Sequence, residues 1–398
     1  MGHNLIVDRI ETIRVPEHPN TIWVQVHAGG LIGLGETYYL AGAVESVIHE
    51  LVAPHVLGQS AFDRERIWSE VFARANFFGH AGAELRGLSA VDIALWDLVG
   101  QYLNVPIHDL IGGRCRDTVP VYITCANTPL HPDQDASLER AGDLAEELLS
   151  EGFTQMKLWP WDRFAPQRRP RGATGPAGWS AVGPAGHRLT AADLAAGLES
   201  VRAIRAKVGD RMAIAIEGHS RWDLNSALTI AHAVEPFSVV WMEDMIQSTS
   251  VDDLARFARE SRVPQAVSER LFTRWAFREV FERQAARICM FDLIWTGGIT
   301  ESVKICNLAD TYHLPFAPHD CTGPVNVLAC LHLCTALPNA MIMEVVRGFI
   351  RGYYLDILDR PIVLKNGEAV LDFAPGLGAK LNPKLLARRD LNRRESVA

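Results

Sequence analysis

The sequence predicts a (β/α)8 barrel capped by an α+β layer, and three observations carry that prediction. From residue 119 onward, short apolar runs alternate with segments of helical character. From the third onward these runs begin at 212, 239, 264, 287, 314 and 340, a pitch of 23 to 27 residues that suits one strand and one helix per repeat. Three successive runs end on an acid, Glu217, Glu243 and Glu269, at equal intervals of 26 residues. Eight strands at that pitch close a barrel, and sites in such barrels are built where the strands end.

Taken in order, residues 4–15 and 21–28 alternate apolar and polar, the period of a half-buried strand. The glycines between 29 and 35 break the second run, as a glycine-rich turn in a small antiparallel sheet. No helix follows them directly, which speaks against a dinucleotide-binding loop. Residues 42–57, 62–76 and 83–103 carry helical spacing, and in the last Leu88, Val91, Leu95 and Leu98 mark one buried face. Pro106 and Gly112-Gly113 end this region, so an α+β capping domain is expected over residues 1–118.

Barrel strands are expected at 119–124, 153–157, 212–217, 239–243, 264–269, 287–292, 314–319 and 340–344, within a barrel domain spanning 119–347. Thr190 and Ser250 read as helix N-caps with an acid in the first turn, and Gly209 as a helix stop. The step from the second strand to the third is long. Residues 159–188 hold five prolines, five glycines and five arginines, which excludes a regular helix. That insertion follows Lys157 on the site face, either as a lid or wall of a pocket for an anionic substrate, or as an oligomer contact or mobile surface loop. Residues 348–398 form a tail expected to return to the capping domain. In it Asn366-Gly367 signals a hairpin, and the charged residues 388–398 are expected to fray.

Composition narrows the function classes. Hydrophobic residues at 48% and charged residues at 22% describe an ordinary soluble globular chain. A net charge of −8 argues against nucleic acid or an anionic membrane as partner. No apolar run approaches a membrane span, and the N-terminus reads directly into a strand with no secretory pattern. The seven cysteines are odd in number and form no C-x-x-C pair, a reduced, cytoplasmic pattern.

Three carboxylates at neighbouring strand ends converge, because parallel strands lie about 5 Å apart. Such anions repel unless a cation sits among them, and hard carboxylate oxygens suit Mg²⁺. Further groups end other strands: Lys157 on the second, Asp292 on the sixth, His319 on the seventh and Glu344 on the eighth. Thr124 ends the first and carries no expectation. Trp159 and His219 stand two residues beyond Lys157 and Glu217 and therefore point the same way. A metal flanked by a lysine and two histidines suits removal of a weakly acidic proton beside a carboxylate. His319, oriented by Asp292, is the candidate base, and His219 the candidate acid that helps an adjacent hydroxide leave.

At this point the chain resembles a known family. The stretches 89–97 (SAVDIALWD), 110–113 (LIGG), 241–244 (WMED), 297–301 (GGITE) and 317–319 (APH) are similar to the mandelate racemase-like branch of the enolase superfamily, and specifically to its acid-sugar dehydratases. The resemblance implies the modified enolase barrel, and one Mg²⁺ per chain on Glu217, Glu243 and Glu269. It also implies a His319–Asp292 dyad, and Glu344 at the substrate, where it assists the intermediate. A His in the place of His219 resembles galactonate-dehydratase-like members, in which it expels the 3-hydroxyl. The implied substrate is a small polyhydroxy acid, converted to a 2-keto-3-deoxy acid, with Trp159 and Trp295 as apolar walls. Two departures stand out. Glu217 replaces the commoner Asp, and Lys157-Leu-Trp159 replaces a Lys-x-Lys, which weakens a two-base racemase. An epimerase, racemase or sugar-lactone cycloisomerase using Lys157, and a non-catalytic binding barrel, are the alternatives. The proline-rich insertion invites assembly into a homo-oligomer.

Overall fold

The structure, a computed structural model, describes residues 5–165, 188–370 and 374–398. Most of the insertion expected at 159–188 therefore lies outside the described residues. The chain opens with three antiparallel strands, β1 (Val7–Arg14), β2 (Thr21–Ala28) and β3 (Leu31–Tyr38). Ala28 pairs with Leu31, so Gly29 and Gly30 alone make the turn. Both have positive φ, 56° and 78°, as a two-residue hairpin of this hand requires. Gly33 and Gly35, expected in the turn, lie within β3. A Cβ on either would run into the Ala94 or Ala90 carbonyl of the helix Ala83–Leu103, which packs across the sheet at backbone contact.

The helical run expected at 42–57 is broken into Ala41–Val47, a π-helical turn Ile48–Val52, and Ala53–Val56. Pro54 has no N–H to give to the preceding turn, so the regular ladder cannot pass through it. The next helices follow the sequence reading closely, at Arg64–Ala75 and Ala83–Leu103.

From residue 118 the strands run parallel and form the barrel: β4 (Thr118–Thr124), β5 (Gln155–Leu158), β6 (Ala213–Glu217), β7 (Trp241–Glu243), β8 (Gln265–Val267) and β9 (Ile288–Cys289). β10 (Met343–Val345) pairs back onto β4 through Met343–Val121 and Glu344–Tyr122, which closes the ring. The stave expected at 314–319 is held by bridges alone, Cys289–Phe316 and Asp292–His319 on one side and Phe316–Ala340 on the other. Inward positions alternate along the staves as a period of two demands. A lower layer of Tyr122, Ala215, Trp241, Ala266, Met290 and Ala317 plugs the barrel. Two residues further on, the same staves present Thr124, Glu217, Glu243, Ser268, Asp292 and His319, all buried. Apolar packing below thus positions polar groups above.

The C-terminal segment does two separate things. Asn366-Gly367 forms the expected tight turn between β11 (Val363–Lys365) and β12 (Glu368–Val370), but β12 pairs with β4 of the barrel rather than with the N-terminal sheet. The residues expected to fray instead form β13 (Asn392–Val397), an edge strand in register with β1 from Arg9–Val397 to Arg14–Asn392. Its alternating backbone bonds outweigh the charge of the segment, and charged side chains suit an exposed edge.

Buried polar links tie the N-terminal layer to the barrel. Glu36 of β3 accepts from the backbone N–H groups of Val325 and Asn326, which open the helix Pro324–Ala336. Asp92 accepts from the N–H and hydroxyl of Thr300, and Trp68 donates to the Gly297 carbonyl. Among the described residues no helix is long and apolar enough to cross a membrane, and all seven cysteines are free thiols.

Candidate active site

The barrel mouth holds a cavity of about 420 Å³ lined by groups from nearly every stave. Lys157, at the end of β5, is 2% exposed and points its ammonium at three carboxylates. Its Nζ lies 2.5 Å from Glu243, 2.9 Å from Glu344 and 3.4 Å from Glu217. Burial alone would lower the Lys157 pKa, but Glu243 and Glu344 override it and hold the ammonium well above its ordinary range. Glu344 is also bound by the Thr124 hydroxyl and by the Asp320 N–H at 2.9 Å. Burial raises the Glu344 carboxyl, yet Lys157 and His319 bring it down to about 2.

Glu217 and Glu243 stand side by side in the β6–β7 register and hydrogen-bond each other. Burial and their mutual repulsion push Glu243 well above the usual carboxylate range. Glu269 sits two residues beyond β8. It hydrogen-bonds Asp244 and has Arg270 Nε 3.2 Å from Oε1. Burial raises Glu269, but Arg270 more than reverses it and leaves the carboxyl below the ordinary range. Among the described residues no three His, Cys, Asp or Glu side chains stand ready-arranged around a metal position. Glu217, Glu243 and Glu269 are therefore not brought together as a closed ligand set. Lys157 instead pairs with Glu217 and Glu243, and Arg270 with Glu269.

The donor set nevertheless fits a hard divalent cation. Glu217, Glu243, Asp244, Glu269 and Glu344 are five buried acids facing two full cations, Lys157 and Arg270. Two acid pairs share hydrogen bonds, and apart from that sharing Glu269 Oε2 and Asp244 Oδ1 are buried with no donor to answer them. Crowded carboxylate oxygens that lack a donor are what an added cation would relieve.

Two His–Asp pairs flank the cavity. His319 Nδ1 lies 2.8 Å from Asp292 Oδ2, and the other Asp292 oxygen accepts from the Ile294 N–H, which fixes the carboxylate. Its Nε2 lies 3.3 Å from Cys321 Sγ and 3.9 Å from Glu344. Burial lowers the His319 pKa, but Cys321, Glu344 and the Asp292 bond together hold it well above the imidazole range. Across the barrel, four staves away, His219 Nδ1 lies 2.5 Å from Asp162 Oδ2, and Arg221 braces the same oxygen at 3.4 Å. His219 and Ser220 both have left-handed backbones, φ 46° and 56°, which turn the chain after Gly218 so that the imidazole meets Asp162. Trp159 stands edge-on to His219 at 5.4 Å, and Trp295 lies 5.4 Å from His319. All ten residues singled out in the sequence are buried or line the cavity.

Sequence reasoning missed Asp162, Arg221, Arg270 and Cys321, and from the N-terminal layer Tyr39 and Arg86, which also line or support the cavity. It also set aside Thr124, although that residue shares the inward parity of Lys157. The loop acid Asp162, five residues after Lys157, carried no periodic signal.

Comparison with known proteins agrees with this architecture over nearly the whole chain. Residues 13–112 match the family model of the mandelate racemase/muconate lactonizing enzyme N-terminal domain, and residues 140–385 that of the enolase C-terminal domain-like family. An arabinonate dehydratase of Saccharolobus solfataricus is 29% identical over 88% of this chain and 84% of its own. A D-galactonate dehydratase of Ralstonia nicotianae is 28% identical over 96% and 94%. A solved enolase of the mandelate racemase subgroup from Agrobacterium tumefaciens is 38% identical with a TM-score of 0.87, covering 99% of both chains. An enolase protein from Sargasso Sea environmental sequencing is 39% identical with a TM-score of 0.88 at the same coverage.

Proposed function

This chain belongs to the mandelate racemase/muconate lactonizing enzyme family of the enolase superfamily, and on that premise we propose that it is a hydro-lyase that dehydrates a sugar acid. The substrate is a small polyhydroxy acid, and the product a 2-keto-3-deoxy acid. The observation that carries this reading is the pair of His–Asp dyads on opposite staves, His319–Asp292 and His219–Asp162.

Dehydration needs a base at C2 and an acid at the departing 3-hydroxyl. His319, its ring fixed by Asp292, takes the C2 proton at Nε2. His219, held at Nδ1 by Asp162, turns its Nε2 toward the cavity and protonates the leaving hydroxyl. Both dyads stand at the ends of different staves, so one substrate chain can span them. Glu217, Glu243 and Glu269 would hold one Mg²⁺, whose chemistry is to offset the charge that builds on the substrate carboxylate. Glu344, anchored by Thr124 and the Asp320 N–H, orients Lys157 and His319 around that carboxylate. Trp159 and Trp295 wall the cavity and keep water from the carbanion face.

An epimerase or cycloisomerase using Lys157 as base is less well supported, because its ammonium is turned into three carboxylates. The test is a screen of aldonic and aldaric acids with Mg²⁺, read as 2-keto-acid formation by semicarbazide absorbance. Turnover of one acid is expected, and the His219→Asn protein should lose dehydration while still exchanging the C2 proton with deuterated solvent. Proton exchange without any keto acid in the wild type would replace this reading with epimerisation.

A further inference from the structure

Four basic side chains line the cavity, and three of them are answered inside the protein. Lys157 faces Glu217, Glu243 and Glu344. Arg221 meets Asp162, and Arg270 meets Glu269. Arg86 is different. It rises from the first turn of the helix Ala83–Leu103 in the N-terminal layer and reaches over the barrel mouth. Its guanidinium lies 4.2 Å from the Trp295 ring and 5.7 Å from Tyr39, and one nitrogen donates to the Tyr38 carbonyl at 3.0 Å. Among the described residues no carboxylate ion-pairs with it. Asp292 is near enough to be felt electrostatically, but its oxygens are taken by His319 and the Ile294 N–H.

A guanidinium taken largely out of water without a carboxylate partner is unfavourable, unless a ligand supplies the anion. Arg86 keeps unused N–H donors in a planar fork, with its guanidinium over the Trp295 ring, and such a fork can grip a carboxylate through two hydrogen bonds. Its place also matters. Trp295 packs against both Arg86 and His319, so the guanidinium lines the same cavity as the base but enters it from the N-terminal layer, whereas the acid cluster belongs to the staves β6 to β8. A substrate whose first carboxylate lies at that cluster would bring its far end toward Arg86.

We propose that Arg86 is a subsite for a second carboxylate, so that the chain prefers sugar diacids (aldarates) over the aldonates that share their configuration. This rests on the sugar-acid reading of the site and names its substrate class. Trp295 and Tyr39 position the guanidinium, and the N-terminal layer thereby selects the far end of the substrate while the barrel acts on the near end.

The test separates binding from turnover. In the His319→Asn protein with Mg²⁺, dissociation constants are measured by calorimetry for aldonate and aldarate pairs of galacto, gluco, manno and xylo configuration. For at least one configuration the diacid should bind at least about tenfold tighter, as a charge-assisted fork–fork pair allows. Adding Arg86→Gln should bring that ratio near one, and Arg86→Lys should restore only part of it. Equal or tighter binding of the aldonate, a preference that survives Arg86→Gln, or no binding in any pair would overturn the proposal. Wild-type turnover is scored separately. Diacid preference without keto-acid formation keeps the subsite and removes the dehydratase reading. Aldonate turnover without diacid preference does the reverse.

Discussion

His319 can act as a base only in its neutral form, yet its neighbours favour the imidazolium. Burial opposes the charge, but Cys321, Glu344 and the Asp292 bond win and keep the pKa well above the imidazole range. The sign follows directly. A raised pKa holds the proton to higher pH, so the limb on which kcat/KM climbs as the base is freed should lie above that of an ordinary imidazole. Replacing Asp292 with Asn removes one of the groups that raise the pKa and lets the ring turn. The climbing limb should then move to lower pH while kcat/KM falls by roughly 10²- to 10⁴-fold, as with other His-orienting acids. Across the barrel, Asp162→Asn frees His219 from its 2.5 Å contact. Dehydration should fall by roughly 10- to 100-fold, less than full loss of acid catalysis because His219 itself remains, while C2 exchange, which belongs to His319, falls much less. Equal losses in both assays would show that Asp162 serves the fold of the loop and not the orientation of His219.

At the scale of elements, Gly298 is one of the groups on which the join between the N-terminal layer and the barrel rests. It opens the helix Gly298–Thr311 with a φ of 78°, and a Cβ there would strike the Asp92 carboxylate. That carboxylate accepts from both the N–H and the hydroxyl of Thr300. Gly298→Ala therefore strains the backbone and displaces a buried double hydrogen bond. It should cost about 2–4 kcal/mol, read as a lower denaturant midpoint at unchanged slope. Gly298 and Asp92 both fall in stretches that mark the family, so their presence was legible, but their contact was not. The same limit applies elsewhere. Strand parity placed Lys157, Glu217, Asp292 and His319 inward, because alternation and strand ends leave a local signal. Arg86, Tyr39 and Asp162 reach the cavity only through tertiary packing, which no local period reports. β13 was misjudged for a related reason. Its charge pattern reads as a solvated tail, and the partner that orders it, β1, lies at the opposite end of the chain.

The whole molecule is bound together at one further point, where the N-terminal layer, the barrel and the C-terminal segment meet. His332, on the helix Pro324–Ala336, stacks on His108 with ring centroids 5.2 Å apart and donates from Nε2 to the Leu377 carbonyl at 3.3 Å. That bond fixes the tautomer, so Nδ1 carries a lone pair. The lone pair accepts from the His108 backbone N–H at 3.3 Å, with His108 Nδ1 at 3.1 Å. A proton on Nδ1 would face the His108 backbone N–H at a fully buried position. Burial, then the charge of His108, lowers the His332 pKa to about 3. In the unfolded chain the same residue titrates near 6.5. Above pH 6.5 both states are neutral and His332 contributes no pH dependence. As pH falls below 6.5 the unfolded chain gains a proton that the native state refuses, so stability drops by about 1.4 kcal/mol per pH unit until about pH 3. Glu36, Asp92 and Asp97, raised by burial to about 8, 7 and 6, act with the opposite sign over part of this window, so the overall curve does not isolate the histidine. The difference between wild type and His332→Asn does. At pH 7.5 the variant should be less stable, from lost packing and a lost hydrogen bond. By pH 4.5 that gap should shrink by roughly 2–3 kcal/mol, because the asparagine escapes the proton penalty. Denaturant midpoints for both proteins across that range measure it, and two parallel stability curves would mean that His332 is protonated in the folded protein and does not join the three regions as a neutral ring.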